Sequence, residues 1–443
     1  MPPLAETDAN VAAIDRKYCG GPCRFVLPIF LMEQESKAQM HFRQLAFMAG
    51  MANRTIVLPN VGRSRLGACL EHDFSFYYSE EWARKNGEHF KYITMTDFRA
   101  WLAERQEAKP RSQHMYIHLD QGRVQMPEVD NCFASQLDIA PGSEQRLYLH
   151  ETSNTAKRAQ FERQVKAFLL GNPKPSRETD VDRYQHIEVL SVFYDRRFPF
   201  VHHPDAAVPI AYSTQLVALA DALSAKLAPY CAVHWRTERV DPPENLVFCA
   251  ESLVSMVSDR LESVKAIDGV KPNFFLLTDY PHIIPEKPTE ANTSSDFMPA
   301  SSSFSQNSLT RYHHAAIHYL YKHMQIQLTH LEQQKETPPV HTPANWTMLP
   351  IPASIAAEDT GFLGILDKLL AIRADVFLAG KPGVCGRKSS FTSLIIHERL
   401  RRQAEESGEA VNATWSDYSI DRQGQMRNII DYFDLPPDII TAA

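Results

Sequence analysis

The stretch RFVLPIFLMEQESKAQMHFRQLAFMAGMANRTIVLP, Arg24 to Pro59, decides the fold class. It opens on the apolar run RFVLPIF, which reads as a buried strand. KAQMHFRQLAFMAGMA follows, with Met40, Leu45, Met48 and Met51 among its apolar positions, and reads as a helix. RTIVLP then reads as a second strand, closed by Pro59. Strand, helix and strand in that order form the unit from which parallel sheets are built.

The alternation returns later in the chain. STQLVALADALSAKLA is helical, with Leu216, Leu219, Leu223 and Leu227 at helical spacing. Tyr230 to Val233 is a strand. AESLVSMVSDRLESV is helical, with Leu253, Val257, Leu261 and Val264 on one face. NFFLLTD and DVFLA read as strands, LGILDKLLAI and FTSLIIHERLRRQ as helices. Residues 285–310, rich in Pro, Ser and Thr, read as a flexible loop, and 171–184 as a polar break. A domain change is expected within 195–213. The expectation is two α/β halves, an N-terminal domain over 1–205 and a C-terminal domain over 206–443.

Composition narrows the function classes. The 443 residues are 44% hydrophobic and 22% charged, as in ordinary globular chains. A net charge of −7 leaves no basic surplus for neutralising phosphates, so a nucleic-acid partner is not expected. No apolar run approaches the roughly 20 residues that span a bilayer, so stable membrane insertion is not expected. The N-terminal stretch lacks the apolar core of a signal peptide. Seven cysteines cannot all pair within the chain. Cys19 and Cys23 lie close together, but CGGPC is not a zinc pair and no second cluster completes one. Sequons at Asn53, Asn292, Asn345 and Asn412 permit glycosylation in a secretory compartment.

Ligands of open α/β sheets sit beyond the carboxyl ends of strands. Three strand ends here carry polar chemistry. His234, Arg236 and Glu238 follow the strand Tyr230–Val233 within CAVHWRTERV, Asp279 ends the strand FFLLT, and GKPGVCGRKSS (380–390) links DVFLA to a helix. Ser389 and Ser390 open that helix. Two readings fit them: N-cap serines, or anion ligands at the positive end of the helix, with Arg236 as the fork-shaped cation. GKPGVCGRKSS also approaches a Walker A loop, but it is one residue too long and Arg387 precedes Lys388. His314 and His318 stand four apart, a spacing that suits metal ligation, yet no third ligand accompanies them. A packed or solvated helix face is the expectation there.

Three blocks of the chain resemble the GDP-fucose protein O-fucosyltransferase family and its fungal relatives. They are KAQMHFRQLAFMAGMANRTIVLPNV, VHWRTE, and ILDKLLAIRADVFLAGKPGVCGRKSSFTSLIIHERL. The last is similar to the family's D…AD-x-F…S-S-F-T segment, with the same separation between Asp367 and Asp375. The resemblance implies an α/β protein of the GT-B class, two Rossmann-like domains facing a central cleft. The C-terminal domain would hold the donor and the N-terminal domain the acceptor. It implies inverting, metal-independent transfer of fucose from GDP-fucose to a hydroxyl, on a Ser or Thr of a protein or on a glycan, without a cofactor. Arg236 would stabilise the leaving diphosphate. His234, Glu238, Asp279, Asp367, Ser389, Ser390, Phe391 and Thr392 would surround the nucleotide. The family's early glycine-rich loop is replaced by MEQESKAQMHF, where Ser36 and Lys37 stand in place of Gly and Asn. Lys37 would then act as a phosphate cation, and Glu35 or Glu33 as base for the acceptor; each equally reads as a solvated loop residue. The family also carries cysteines in places similar to Cys249 and Cys385, so a bridge between them is one expectation and two free thiols the other. The ER or Golgi lumen is the favoured compartment, the cytoplasm the alternative. Two rival functions remain: a phosphohydrolase using 380–390 with Mg²⁺, and a non-catalytic binding protein.

Overall fold

The computed structural model describes residues 4–31, 33–118, 132–139, 146–150, 187–194, 201, 203–268, 273–278, 280, 309–331, 346–357, 359–407 and 429–436. Asp279, the break at 171–184, nearly all of the 285–310 loop, and the sequons at Asn292, Asn345 and Asn412 lie outside these residues. The chain forms two compact units, Met1–Thr214 and Gln215–Ala443. The division falls beyond 205 because residues 211–213 are tied to the N-terminal side. Ser79 N–H donates to the Ala211 carbonyl and Ser213 N–H to the Tyr77 carbonyl, each at 2.8 Å. Tyr78 and Tyr212 form a β-bridge.

In the N-terminal unit the strands are β1 (Phe25–Leu31), β2 (Thr55–Leu58), β3 (Val61–Gly62), β4 (Arg65–Leu66), β5 (Tyr92–Thr94), β6 (Ser112–His118), β7 (Arg146–His150) and β8 (Val189–Tyr194). Six of them lie parallel in the order β5-β2-β1-β8-β6-β7. The short antiparallel pair β3 and β4 closes on the end of β1. The helices are α1 (Leu4–Cys19), α2 (Glu35–Met51), α3 (Glu81–Lys85), α4 (Met95–Glu104) and α5 (Pro204–Ala207). Proline within a central strand removes a ladder donor and is tolerated at irregularities. Pro28 obeys this rule: the register of β1 on β8 shifts between Pro28 and Phe30. Phe25 anchors the core against α4, with its ring 5.2 Å from Phe98 and 4.8 Å from Trp101.

The C-terminal unit holds β9 (Tyr230–Trp235), β10 (Asn273–Thr278), β11 (Ile326–Leu331), β12 (Trp346–Ile351), β13 (Val376–Gly380) and β14 (Ile429–Phe433). All are parallel, in the order β12-β11-β10-β9-β13-β14. Its helices are α6 (Thr214–Leu227), α7 (Asn245–Asp268), α8 (Arg311–His323), α9 (Ala353–Ala356), α10 (Thr360–Arg373) and α11 (Ser390–Ser407). The chain starts at β9, steps outward three times, then returns to the other flank of β9 as β13. The strand order therefore reverses between β9 and β13, which is the ligand-binding crevice of a doubly wound sheet.

Strand periodicity assigns the two faces. Cys231, Val233 and Trp235 enter the core with Leu246 and Leu253 of α7 and Ile317 and Leu320 of α8. The alternate residues Ala232 and His234 turn to the opposite face. Two polar groups fix the seam between β9 and β13. Asp375 donates its N–H to the Tyr230 carbonyl (3.1 Å), and its carboxylate accepts the Tyr230 N–H (2.9 Å). The buried Arg399 donates to the carbonyls of Ala371, Ile372 and Ala374 at 2.9, 3.3 and 2.6 Å, satisfying the orphan acceptors where α10 ends.

Cys19 pairs with Cys23, Cys69 with Cys132 and Cys249 with Cys385, leaving Cys231 as a buried thiol. Of the two expectations for Cys249 and Cys385, the bridge is the one present. It ties α7 to the loop after β13 and closes 136 residues of chain. Removing a disulfide that closes so long a loop costs about 2–4 kcal/mol. The Cys249→Ser/Cys385→Ser double variant should lose that much in chemical denaturation, and peptide mapping without reductant should find the native pair linked. Two free thiols in fully folded material, or an unchanged midpoint, would remove the bridge from the account.

Candidate active site at the strand switch point

The site is built from the carboxyl ends of β9 and β13. Beyond β13 the chain makes a tight loop before α11. Gly380 is required at its start, because a Cβ there would sit 2.2 Å from the Cys385 carbonyl oxygen. Gly383 adopts φ +88°, the left-handed region that favours glycine. Trp235, fully buried, donates its indole N–H to the Cys385 carbonyl at 2.9 Å. The tryptophan of CAVHWRTERV is thus the floor of the loop, and the Cys249 bridge is its side wall.

This geometry bears on the Walker reading. A phosphate cradle needs inward backbone N–H groups. Here the N–H groups of Lys381, Gly383, Val384 and Cys385 donate to Phe433, Gly386, Lys381 and Lys381 carbonyls respectively. The Lys381 ammonium pairs with Asp434. The loop is folded on itself, and its basic residues Arg387 and Lys388 stand exposed just before the helix.

Ser389 fulfils the N-cap reading. Its hydroxyl accepts the Phe391 N–H at 3.2 Å, and its carbonyl accepts the Ser393 N–H at 2.9 Å and the Ser393 hydroxyl at 2.8 Å. Capping and anion binding are compatible, since a helix start presents several N–H donors and a positive dipole end. Ser390 and Phe391 occupy the first turn of α11, with Thr392 buried beside them.

His234 joins the two strand ends. Its Nδ1 shares a 2.7 Å hydrogen bond with the Thr392 hydroxyl, and its ring lies 4.9 Å from that of Phe391. The buried Lys368 of α10 places its ammonium 5.2 Å from the Phe391 ring centroid. Burial, helped by the nearby Arg236 charge, pushes the His234 pKa down to about 3. The imidazole is therefore neutral, and Arg236 is the positive charge at this strand end.

Arg236 itself is oriented from behind. Its Nε donates to Glu238 Oε1 at 2.7 Å; the Glu238 side chain is only 2% exposed, whereas that of Arg236 is 23% exposed. A buried carboxylate thus holds one edge of the guanidinium while the group remains accessible to an anion. The start of α8 backs this turn. The Thr310 N–H donates to His313 Nδ1 at 3.1 Å, closing a capping box. Burial lowers the His313 pKa, against the pull of the Thr237 backbone and the Glu238 charge.

The remaining expected residues fall elsewhere. Asp367 of α10 accepts a hydrogen bond from the Thr329 hydroxyl of β11 at 2.5 Å. Burial pushes its pKa up to about 7, with Thr329 pulling it back. Glu35 and Lys37 belong to the N-terminal unit, at the start of α2 beyond the end of β1. Glu35 is buried, and its Oε1 accepts hydrogen bonds from Gln39 (2.9 Å), Tyr78 (2.9 Å) and Tyr212 (3.0 Å). Lys37 pairs with Glu33 at 2.9 Å. His314 shares a 2.7 Å hydrogen bond with the Tyr280 hydroxyl, as a packed helix face would have it.

No protein-family model matches the chain, and no curated protein matches it. Among solved structures it is similar to POFUT1 in complex with GDP-fucose, at 14% identity and TM-score 0.47, over 95% of this chain and 100% of that one. It is also similar to NodZ alpha-1,6-fucosyltransferase co-crystallized with GDP, at 15% identity and TM-score 0.33, over 84% of this chain and 90% of that one. A fucosyltransferase NodZ from Bradyrhizobium gives 15% identity and TM-score 0.32, over 84% of this chain and 91% of that one. No residue role is carried across from these likenesses.

His234 gives a pH test of the site. An unfolded histidine titrates near 6.5, while the folded one stays neutral to about 3. Between those values only the unfolded state takes up the proton, so stability falls as the pH drops, by at most about 1.4 kcal/mol per pH unit. Denaturation of wild type and His234→Asn between pH 7 and 4 should show a shallower loss in the variant. Parallel curves would mean that His234 is not held neutral.

Proposed function

We propose that the chain is an inverting, metal-independent fucosyltransferase that moves fucose from GDP-fucose to a hydroxyl acceptor. The C-terminal unit takes the donor and the N-terminal unit the acceptor, a Ser or Thr of a protein or a glycan. One observation carries the reading. At the switch point of the C-terminal sheet, a partly exposed guanidinium fixed by a buried carboxylate stands beside a neutral histidine, which is hydrogen-bonded to the first turn of an 18-residue helix. A leaving nucleoside diphosphate develops negative charge on its terminal phosphate, and a pre-oriented cation with a helix N-terminus meets that charge without reorganising. The residues in question are those of the blocks VHWRTE and RKSSFT, which also carry the family resemblance.

In this reading the acceptor oxygen attacks C1 of fucose as the bond from C1 to the diphosphate oxygen breaks. The configuration at C1 inverts, and the acceptor proton passes to a base. Arg236 bears the leaving group. Ser390, Phe391 and Thr392 line the phosphates and base, and His234 and Glu238 keep the cation and the helix start in register. Asp367 takes the guanine edge, and Lys37 as a phosphate cation would first have to leave Glu33. Glu35 is the weaker part of the assignment, because three hydrogen bonds already hold its Oε1. The three disulfides suit an oxidising compartment such as the secretory lumen.

Arg236→Ala should lower transfer by about two to three orders of magnitude, the scale for removing a transition-state donor. Arg236→Lys should not rescue it, because lysine lacks the planar fork that Glu238 grips. GDP release from GDP-fucose with a panel of acceptors, together with thermal unfolding, is the readout. A folded Arg236→Ala protein that transfers at the wild-type rate would refute the mechanism. A variant unfolded at ambient temperature would make Arg236 a structural ion-pair residue.

A further inference from the structure

We propose that the N-terminal unit carries a zinc site formed by His89, His203 and Asp205, independent of the donor site. The three residues come from two distant segments, the loop after α3 and the entry to α5. Their ligand atoms lie within 4.8 Å of one another. His89 Nε2 is 3.2 Å from Asp205 Oδ2, and His203 Nδ1 is 3.5 Å from the same oxygen. Zinc–nitrogen and zinc–oxygen bonds of about 2.0–2.1 Å in a tetrahedron set ligand atoms about 3.3–3.4 Å apart. The two separations bracket that edge length within about 0.2 Å. A water would take the fourth position.

The Asp205 carboxylate draws the two imidazoles together: its Oδ2 lies 3.2 Å from His89 Nε2 and 3.5 Å from His203 Nδ1. The Asp205 backbone N–H also lies 3.3 Å from His203 Nδ1, at the entry to the short helix α5. A metal ion bound to that nitrogen would displace only this long hydrogen bond.

The surroundings hold the two imidazoles in place. Phe47 of α2 stacks on the His89 ring (centroids 5.1 Å apart) and lies 5.5 Å from the His203 ring. One turn further along α2, a Cβ on Gly50 would lie 1.8 Å from the His89 carbonyl oxygen, so the helix backbone abuts the ligand's own backbone. Fixed rings on a rigid helix are what a pre-organised site requires. The ion would staple residue 89 to residues 203–205, joining parts of the unit far apart in sequence.

The test is direct binding of the metal alone. Chelator-stripped full-length chain is titrated with Zn²⁺ by calorimetry and with Co²⁺ by visible absorption, and its thermal unfolding is followed with and without Zn²⁺. The proposal expects one Zn²⁺ per chain, a tetrahedral Co²⁺ spectrum, and a rise in Tm with Zn²⁺. His89→Ala and Asp205→Asn should each weaken Zn²⁺ binding at least tenfold while keeping far-ultraviolet circular dichroism and GDP binding. His314→Ala, a histidine outside the cluster, controls for adventitious surface binding and should leave Zn²⁺ affinity unchanged. Absence of stoichiometric binding to the wild type would overturn the proposal, as would equal affinity in the His89 and Asp205 variants. Neither result touches the donor-site reading, which is tested on Arg236.

Discussion

Strand β9 lies parallel to β13, with Val376 opposite Cys231 and Ala379 opposite His234. The candidate site depends on that register. A slip of one residue would turn His234 into the core and Trp235 out of it, because strand side chains alternate faces. Asp375 and Arg399 fix the register from the other end. The first matches both backbone groups of Tyr230, and the second gathers the carbonyls where α10 gives way to β13. Burial lowers the Arg399 pKa to about 10, so it remains a cation at neutral pH, placed at the negative end of a helix.

From this seam the electrostatics of the site follow. Trp235 and the Cys249–Cys385 bridge hold the loop after β13, and the loop sets where α11 begins. His234 is tied to that first turn through Thr392 and is kept neutral by burial. The charge at the strand end is left to Arg236, steadied by a carboxylate that water hardly reaches. A partly exposed guanidinium at the end of β9, with Arg387 and Lys388 exposed just before α11, is suited to a diphosphate and poorly suited to a neutral ligand.

Much of the α/β architecture was legible because its central elements are the most apolar. The run FVLPIFL, the helix after it, and TIVL appear in the structure as β1, α2 and β2, and β9, β10 and β13 stand where their runs predict. The strands not read from the sequence were β3 to β8, β11, β12 and β14: in β6 (SQHMYIH), β11 (IQLTHL) and β12 (WTMLPI) polar residues or proline interrupt the apolar signal, whereas β8 (VLSVFY) is apolar but stands far from any helix that the sequence reading identified. The site was legible as far as strand ends go, since ligand crevices follow topology. Its long-range partners were not. Nothing local in the sequence announces that Tyr78 and Tyr212 would converge on Glu35, that Thr329 would reach Asp367, or that Lys368 would face Phe391. The same holds for the His89, His203 and Asp205 cluster, which spans more than a hundred residues of chain. Asp375 and Arg399 stood in the family-like block, but their work is structural and visible only in three dimensions.

The central proposal is that the crevice between β9 and β13 binds a guanosine diphosphate. Calorimetric titration with GDP, ADP and UDP, in chelator and without divalent metal, tests it most directly. The account predicts saturable GDP binding with much weaker ADP and UDP, and loss of the preference for GDP in Asp367→Ala. It also predicts a pH dependence. Burial pushes the Asp367 carboxyl up to about 7; in the proposed role it must be ionised to accept the guanine N–H groups, so GDP affinity should fall as the pH drops below 7, with a proton released on binding. Equal affinity for the three nucleotides, or binding that appears only with Mg²⁺, would contradict the account.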